Sequence, residues 1–457
     1  MKLYGINIPC RNIPVLDPDF IPLNRFNEEF LKTARVPFDI AVERSDSQIC
    51  AYHTFIHGTA DMEKADIYYI DRFIKNILWM KGGFRIYVSG TGTVCSSISK
   101  SYSPDGSRAF DYGFMSRVYE KKMEVLKVSR IPAANETSYA IGRHLDGCRI
   151  GFDAGGSDRK VSAVIDGIPV FSEEIVWHPK VTADPDYHYS EIVSAFRTAA
   201  SYMPRVDAIG VSSAGVYIAN RTMVASLFLK VPQDLFESKV KDIFLRAGRE
   251  IGDVPVTVCN DGDVTALAGA MSMNTGNVLG IAMGTSEAVG YVDDKGNITG
   301  WLNELAFAPV DASPRAMEDE WSGDIGCGVK YFSQDSIIKL ASAARITLGD
   351  ARTPAEKLKI VQELMEEDDM RAKDVYESLG VYLGHTLPFY YHMYGFANVL
   401  LLGRVMGGKG GNIILDTAQK VLKDEYPDIA ALIAVSLPDE KSRRVGQSVA
   451  AASLPVL

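Results

Sequence analysis

The order of apolar and polar positions divides the chain into segments of different period. Residues 1–35 carry several prolines and no sustained periodicity. Phe38-Asp-Ile-Ala-Val-Glu43 and Ile49-Cys-Ala-Tyr-His-Thr-Phe-Ile56 then read as strands, joined by the polar turn Arg44-Ser-Asp-Ser-Gln48. Between Asp66 and Met80, Ile67, Ile70, Phe73, Ile74, Ile77 and Leu78 recur at helical spacing, and Gly82-Gly83 supplies a stop before the strand Phe84-Arg-Ile-Tyr-Val88. The centre of the N-terminal part is therefore β-β-α-β. A further helix is expected at about 114–126, after the loop Ser101–Ser107, which is rich in serine, proline, aspartate and glycine.

From Arg149 the pattern changes. Ile150-Gly-Phe-Asp153 reads as a buried strand entering a Gly-Gly turn, with Lys160-Val-Ser-Ala-Val-Ile165 as its hairpin partner. A strand at Ala208–Val211, a helix at Gln233–Arg249, a strand at Val256–Val258, a helix at Val264–Met273 and a hairpin around Gly280–Val292 follow. Gln334 to Gly384 is mainly helical, Asn398–Leu402 reads as one more buried strand, and a helix starts at about Ile413. Alternating strands and helices predict layered α/β domains. The 457 residues exceed one compact core, and about 150 residues per domain gives two to three, with three as the working count.

Composition narrows the function classes more than the fold. Hydrophobic residues at 47% and charged residues at 23% suit a globular protein with a sizeable core. The net charge of -10 and the lack of a Lys/Arg block argue against nucleic acid as a partner. They do not exclude ATP, whose site is built from local backbone donors and Mg2+. Cys10, Cys50, Cys95, Cys148, Cys259 and Cys327 form no Cys-x-x-Cys pair, so neither a zinc ribbon nor a disulfide framework is expected. With no signal-like start and no apolar run of about 18 residues, the expectation is a soluble, cytoplasmic protein with no membrane partner.

Three loops carry candidate chemistry. Asp153-Ala-Gly-Gly-Ser157 ends a strand, and Gly155 and Gly156 let backbone N–H groups, with Ser157 beside them, approach phosphate oxygens while Asp153 orients Mg2+ or its waters. An ordinary Asp-Gly hairpin turn is the alternative for this pentapeptide alone. Gly284-Thr285-Ser286 repeats the strand-turn-strand arrangement, and two such clamps serve a nucleoside triphosphate in a chain that lacks G-x-x-x-x-G-K-[ST]. Between them, Asn260-Asp261 stands at a strand end before a small-residue helix. In phosphoryl transfer one carboxylate accepts the proton of the attacking hydroxyl, a role assigned to Asp261, with Asn260 as a hydrogen-bonding neighbour to a sugar hydroxyl. An Asx turn capping the next helix fits Asp263 better than Asp261.

With those elements in order, residues 149–457 resemble the ROK family (repressors, open reading frames and kinases) of sugar kinases. The resemblance implies an actin-like (ribonuclease H-like) two-domain α/β ATPase fold, here with an additional N-terminal α+β domain. The expected segments are 1–148, an N-terminal α+β extension of unknown role; 149–273, with the first phosphate loop and the catalytic aspartate; and 274–457, with the second phosphate loop, the adenosine loop and a closing helix. It further implies ATP and Mg2+ as cofactors and phosphorylation of a hexose or amino sugar. A homodimer is implied, with small-molecule partners only. Asp261 falls on the catalytic base and Asn260 on its sugar-binding neighbour. Gly403-Arg-Val-Met-Gly407-Gly408 resembles the adenosine-side glycine loop, and Gly446-Gln-Ser-Val-Ala-Ala-Ala452 the closing helix.

Departures from the family pattern lie at the sugar end. Glu304 is similar to the sugar-binding glutamate, but Phe307 stands where a zinc-ligating histidine is expected. The family's cysteine motif is reduced to Cys327, and Gln334 replaces a glutamate, so no zinc site is expected and the hydroxyl pattern recognised differs from that of glucose. Ser213 and Gly215, in Ser212-Ser213-Ala-Gly215, occupy the place of a sugar-side turn. His144, His178, His385 and His392 lack a second ligand at metal spacing and read as packing or surface residues. The alternative function is a catalytically degenerate sugar-binding or regulatory ROK-like protein; the β-β-α-β centre of residues 1–148 has no basic recognition helix for DNA.

Overall fold

The computed structural model describes residues 1–137, 141–438 and 446–457. It divides into two compact units: Met1–Thr137 with Ile281–Ala288 and Trp301–Leu437, and Ser138–Gly280 with Val289–Gly300 and Pro438–Leu457. This division follows compactness, whereas the three sequence segments follow motif order, and the three-part division stays a proposal.

The second unit is built on a five-stranded sheet in the order Val256–Asn260, Ala208–Ser213, Cys148–Ala154, Asp158–Ile165, Ile168–Val176. The first three strands are parallel and the last two antiparallel. Alternation assigns the two faces of the central strands. Ile150, Phe152, Ile209 and Val211 point into a core shared with Ile192, Phe196 and Phe244 from the helices Pro185–Ala200 and Ile243–Arg249. Phe152 and Phe196 meet edge to face, with centroids 5.5 Å apart, and each buried aromatic of this kind stabilises the fold by about 1.5–3 kcal/mol. Asp184 starts the Pro185–Ala200 helix by accepting from the Asp186 N–H, with Pro185 at the first turn.

The other face carries Gly151 and Gly210, where the helix Gln447–Ala452 lies directly on the sheet. A Cβ at Gly151 would strike the carbonyl of Ser448, and one at Gly210 that of Ala451. Glycine in the strands and alanine in the helix are thus one requirement, that two backbones approach without side chains between them. Arg149, fully buried, donates to the Pro455 carbonyl at 2.7 Å from the same face.

In the first unit a four-stranded sheet runs Ile49–Ile56, Val36–Glu43, Arg85–Ser89, Glu124–Lys127, backed by the helix Glu63–Lys81, which confirms the β-β-α-β centre. The helix expected at about 114–126 is corrected: it spans Ala109–Tyr119, stops at Glu120 in a left-handed conformation (φ 52°), and Glu124–Lys127 becomes a strand parallel to Arg85–Ser89. Pairing of Val125 with Ile86 supplies what local periodicity could not show. The N-terminal part packs on the helical segment of its own unit through Lys339–Asp17 (2.5 Å) and Arg25–Glu425 (2.8 Å). The helix Met370–Tyr394 lies against Gly408–Glu425, its Gly380 and Gly384 facing Thr417 and Val421. A second four-stranded sheet has the order Glu287–Val292, Val278–Met283, Asn398–Leu402, Ala434–Ser436.

Two further expectations are revised. Gln233–Arg249 is not one helix but a short turn, a π-helical stretch Phe236–Val240 and the helix Ile243–Arg249. The last long helix begins at Gly408 rather than about Ile413. No helix among the described residues is long and apolar enough to cross a membrane.

Candidate active site

Register places the first cluster. In the second unit Asp153 pairs with Ser212, Ala154 with Ser213, and Ser213 with Asn260, so three neighbouring parallel strands end together. This is the place where open α/β sheets present ligand-binding groups, because loops diverge there and backbone groups are left unpaired. Ser212 Oγ donates to Asp153 Oδ1 at 2.9 Å. Gln447 Nε2 donates both to Ser212 Oγ (3.0 Å) and to the Asp261 carbonyl (3.1 Å), so the closing helix ties two strand ends.

The helix behind the third strand spans Asp261–Met273, three residues earlier than its apolar pattern suggests. Its cap is Asn260, whose Oδ1 accepts from the Gly262 N–H at 2.7 Å. Asp263 therefore does not cap it: this carboxylate is buried and accepts from the Tyr291 N–H at 3.2 Å. Asn260 Nδ2 also donates to the Gly215 carbonyl at 2.8 Å, which leaves one amide hydrogen and one lone pair for a ligand. Gly215 has φ 133°, and a Cβ there would meet Ala225, so glycine is needed in the turn. The buried Ser213 hydroxyl has no hydrogen-bond partner among the described residues.

Both carboxylates of this cluster are raised. Burial lifts Asp153 to about 6, with Asp261 adding to the rise and Ser212 opposing it. Burial also lifts half-buried Asp261, against the Gly262 N–H and the positive charge of Lys180. Asp261 Oδ1 accepts from Gly262 at 3.0 Å, which leaves Oδ2 for a proton. Two acids raised by burial and not matched by an ion pair are the electrostatic setting that a divalent cation relieves, so the residues present fit Mg2+ at Asp153. Gly155, Gly156 and exposed Ser157 form the turn beside it, held by the Trp177 indole N–H on the Gly155 carbonyl (2.7 Å) and the Trp177 backbone N–H on the Ser157 carbonyl (3.1 Å).

The remaining expected residues lie in the first unit. Gly284, Thr285 and Ser286 form a tight turn, in which the Gly284 N–H donates to Ser286 O (3.0 Å) and its carbonyl accepts from the Gln334 N–H (2.9 Å). Gly403, at φ 92°, packs on the backbone of Met283, so the loop expected on the adenosine side and the second turn come together. Gly407 caps the helix from Gly408, and Glu366 accepts from the Lys409 N–H at its start (2.9 Å). Gln334 is buried at the head of the helix Gln334–Ala343, with Nε2 unpartnered. Glu304 lies near Glu287, a buried acid whose two oxygens lack partners among the described residues and which burial, then Glu304, lifts to about 8.

Phe307 packs in an aromatic cluster with Trp79 (4.4 Å), Phe110 (5.5 Å) and Trp321 (5.9 Å). Cys327 is buried beside Asp324, its thiol pushed up to about 11 by burial. Among the described residues no group of three His, Cys, Asp or Glu is arranged to hold a metal ion.

No family model matches the sequence, and no curated protein matches it. Solved structures do match in shape. A ROK hexokinase from Thermus thermophilus has a TM-score of 0.51 at 17% identity, covering 67% of this chain and 97% of that one. A putative sugar kinase from Cytophaga hutchinsonii gives 0.51 at 15%, covering 67% and 98%. The chain has the actin-like fold of the ROK sugar kinases. A ROK family transcriptional regulator, a homolog of the E. coli MLC protein, matches equally well: 0.51 at 17%, covering 68% and 79%. The ROK fold therefore accommodates both a kinase and a regulator, and only side chains can separate them.

Lys180 and Trp177 stand in no motif of the sequence, and Gln447 stands there only within the closing-helix segment. The roles of Trp177 and Gln447 arise from contacts 22 and 235 residues away in sequence, between Trp177 and Gly155 and between Gln447 and Ser212. Gly262 and Gly290 were also missed: a Cβ on Gly290 would strike the Gly262 backbone, so the strand presses on the first turn of the Asp261 helix.

Proposed function

We propose that the protein is an ATP- and Mg2+-dependent carbohydrate kinase that phosphorylates a hydroxyl of a hexose or amino sugar. The observation that carries this reading is the convergence of Asp153, Ser212, Asn260 and Asp261 at the ends of three adjacent parallel strands, with both carboxyls raised. Asp261 is the general base. As the sugar oxygen attacks the terminal phosphorus, its proton passes to Asp261 Oδ2. The bond from phosphorus to the bridging oxygen breaks, and its electron pair leaves on the diphosphate.

Asn260 orients the acceptor hydroxyl with its remaining donor and acceptor, and Gln447 fixes the loop by holding the Asp261 carbonyl. Asp153 is the proposed holder of Mg2+, through water, since its buried carboxylate has one oxygen engaged by Ser212; bound there, the ion would neutralise triphosphate charge. Gly155, Gly156, Ser157, Gly284, Thr285 and Ser286 are the proposed phosphate contacts, Gly403, Gly407 and Gly408 the adenosine side, and Ser213, Gly215, Glu304 and Gln334 the sugar side. A cytoplasmic homodimer without nucleic-acid partners completes the proposal.

The second reading, a sugar-responsive regulator or degenerate member, is favoured by the shape match to a regulator. Mg-ATP with a panel of hexoses, amino sugars and polyols separates the two. Turnover is expected for at least one sugar, and Asp261→Asn is expected to lower kcat by about 10^2–10^4-fold with folding intact. Absence of turnover across the panel would favour the regulator.

A further inference from the structure

The short turn Pro179–Val181 follows Trp177, and the two Trp177 hydrogen bonds to Gly155 and Ser157 hold this turn against the glycine loop. Lys180 projects from it over Gly156. A Cβ built on Gly156 would lie 2.6 Å from both Cε and Nζ of Lys180, so the missing side chain is the space this ammonium occupies. The same charge acts on Asp261, which places Lys180 in the field of the proposed base as well as over the proposed phosphate loop.

Neighbouring cations are already engaged. Arg159 pairs with Glu191 at 2.8 Å, and Lys160 lies 3.7 Å from Glu174 and 4.0 Å from Asp158. Lys180 is exposed and makes no hydrogen bond or ion pair among the described residues. Exposed lysines are commonly just solvated, since the ammonium is strongly hydrated. Lys180 differs in position, because the chain is pinned by a buried tryptophan and the loop opposite is glycine.

We propose that Lys180 is a further catalytic residue, donating from Nζ to the non-bridging oxygens of the phosphoryl group in transfer. This rests on the kinase reading above. The transfer is balanced without any change at Lys180: the sugar oxygen bonds to phosphorus, the bridging oxygen leaves with its electron pair on the nucleoside diphosphate, and the hydroxyl proton goes to Asp261. Lys180 stays protonated and offsets charge on the equatorial oxygens, a contact strongest in the transition state.

The test uses the full chain with Lys180→Met and Lys180→Arg. With a sugar that turns over, Lys180→Met is expected to lower kcat by about 100-fold or more while KM for the sugar stays within about threefold, and Lys180→Arg to recover part of the loss. The acid limb of the pH–kcat profile should move to higher pH in Lys180→Met, because Asp261 loses a neighbouring cation. A kcat within about threefold of wild type in Lys180→Met overturns the proposal.

Calorimetric binding of ATPγS and ADP keeps this apart from the kinase reading. Lys180→Met should weaken ATPγS by about tenfold or more and ADP by less than about twofold, since the charge faces the terminal phosphate. If no sugar turns over, the kinase reading fails, yet that difference still supports a terminal-phosphate contact. Equal weakening of both nucleotides, or binding of neither by the wild type, overturns it.

Discussion

Two sets of buried acids in this protein have opposite electrostatics. In the first unit Asp71, Asp111 and Asp324 meet Arg72, Lys75 and Arg108: Asp324 lies 2.6 Å from Arg72, 2.7 Å from Arg108 and 2.8 Å from Lys75, Asp71 pairs with Arg108, and Asp111 lies 3.4 Å from Lys75. Those cations hold the Asp324 carboxyl far below the usual range despite burial. In the second unit Asp153 and Asp261 are lifted instead, with a hydroxyl, backbone N–H groups and one unattached lysine nearby. Burial alone therefore does not separate a structural acid from the acids proposed to be functional. What marks the latter is charge left for something else to balance.

The contrast breaks most readily at Asp324. Asp324→Asn leaves three buried cations facing two acids, and a loss of about 3–5 kcal/mol is expected by urea unfolding at pH 7. Because the folded value lies below the unfolded one, the wild-type advantage is fully present above the ordinary carboxylate range and disappears as pH falls through the depressed value. Unfolding curves at descending pH check this; an unchanged midpoint at pH 7 would remove the distinction between the two sets.

Asp153 should behave in the opposite sense. Burial lifts it from an ordinary 3.8 to about 6, so the charged form costs about 3 kcal/mol once pH exceeds 6. Asp153→Asn should therefore be more stable than wild type at pH 8 by up to about that amount, and equal to it near pH 3. Mg-dependent ATP binding should fall in the same variant. Gain of stability with loss of binding is the signature of a functional acid, and a loss of both would class Asp153 with Asp324.

The smallest effect is expected at Gln447. Gln447→Ala removes two hydrogen bonds that hold Ser212 and the Asp261 backbone, for a loss of about 1–2 kcal/mol spread between stability and kcat. Sugar KM should stay unchanged, because Gln447 positions other residues. A rise in KM alone would instead indicate a direct sugar contact.

The contrast also shows what the residues disclosed before folding. Asp153-Ala-Gly-Gly-Ser157 and Asn260-Asp261 were legible because each combines a strand end, a turn and an acid within a few residues. The actin-like architecture was implied by the family resemblance that these motifs carry. Lys180 and Gln447 were not legible, since each acts on a loop distant in sequence and neither stands in a motif. The strand Glu124–Lys127 was misread as helix for the same reason: its pairing with Arg85–Ser89 is non-local. Asp263 fits a cap better than Asp261 in the sequence, yet the cap is Asn260, because helix starts read from apolar spacing miss a polar first turn such as Asp261-Gly262-Asp263.

The close seating of the Gln447–Ala452 helix on Gly151 and Gly210 has a kinetic consequence. Arg149 and Pro455, which bond across the same face, are separated by 306 residues, so the sheet that presents Asp153 and Asp261 gains its cover only when the last part of this sequence has been synthesised. Until then a bare glycine-lined surface waits while Ile281–Ala288 and Trp301–Leu437 of the other unit are translated, and closing so long a loop slows the final step. The sheet that carries Asp153 and Asp261 is therefore expected to complete its packing late in folding.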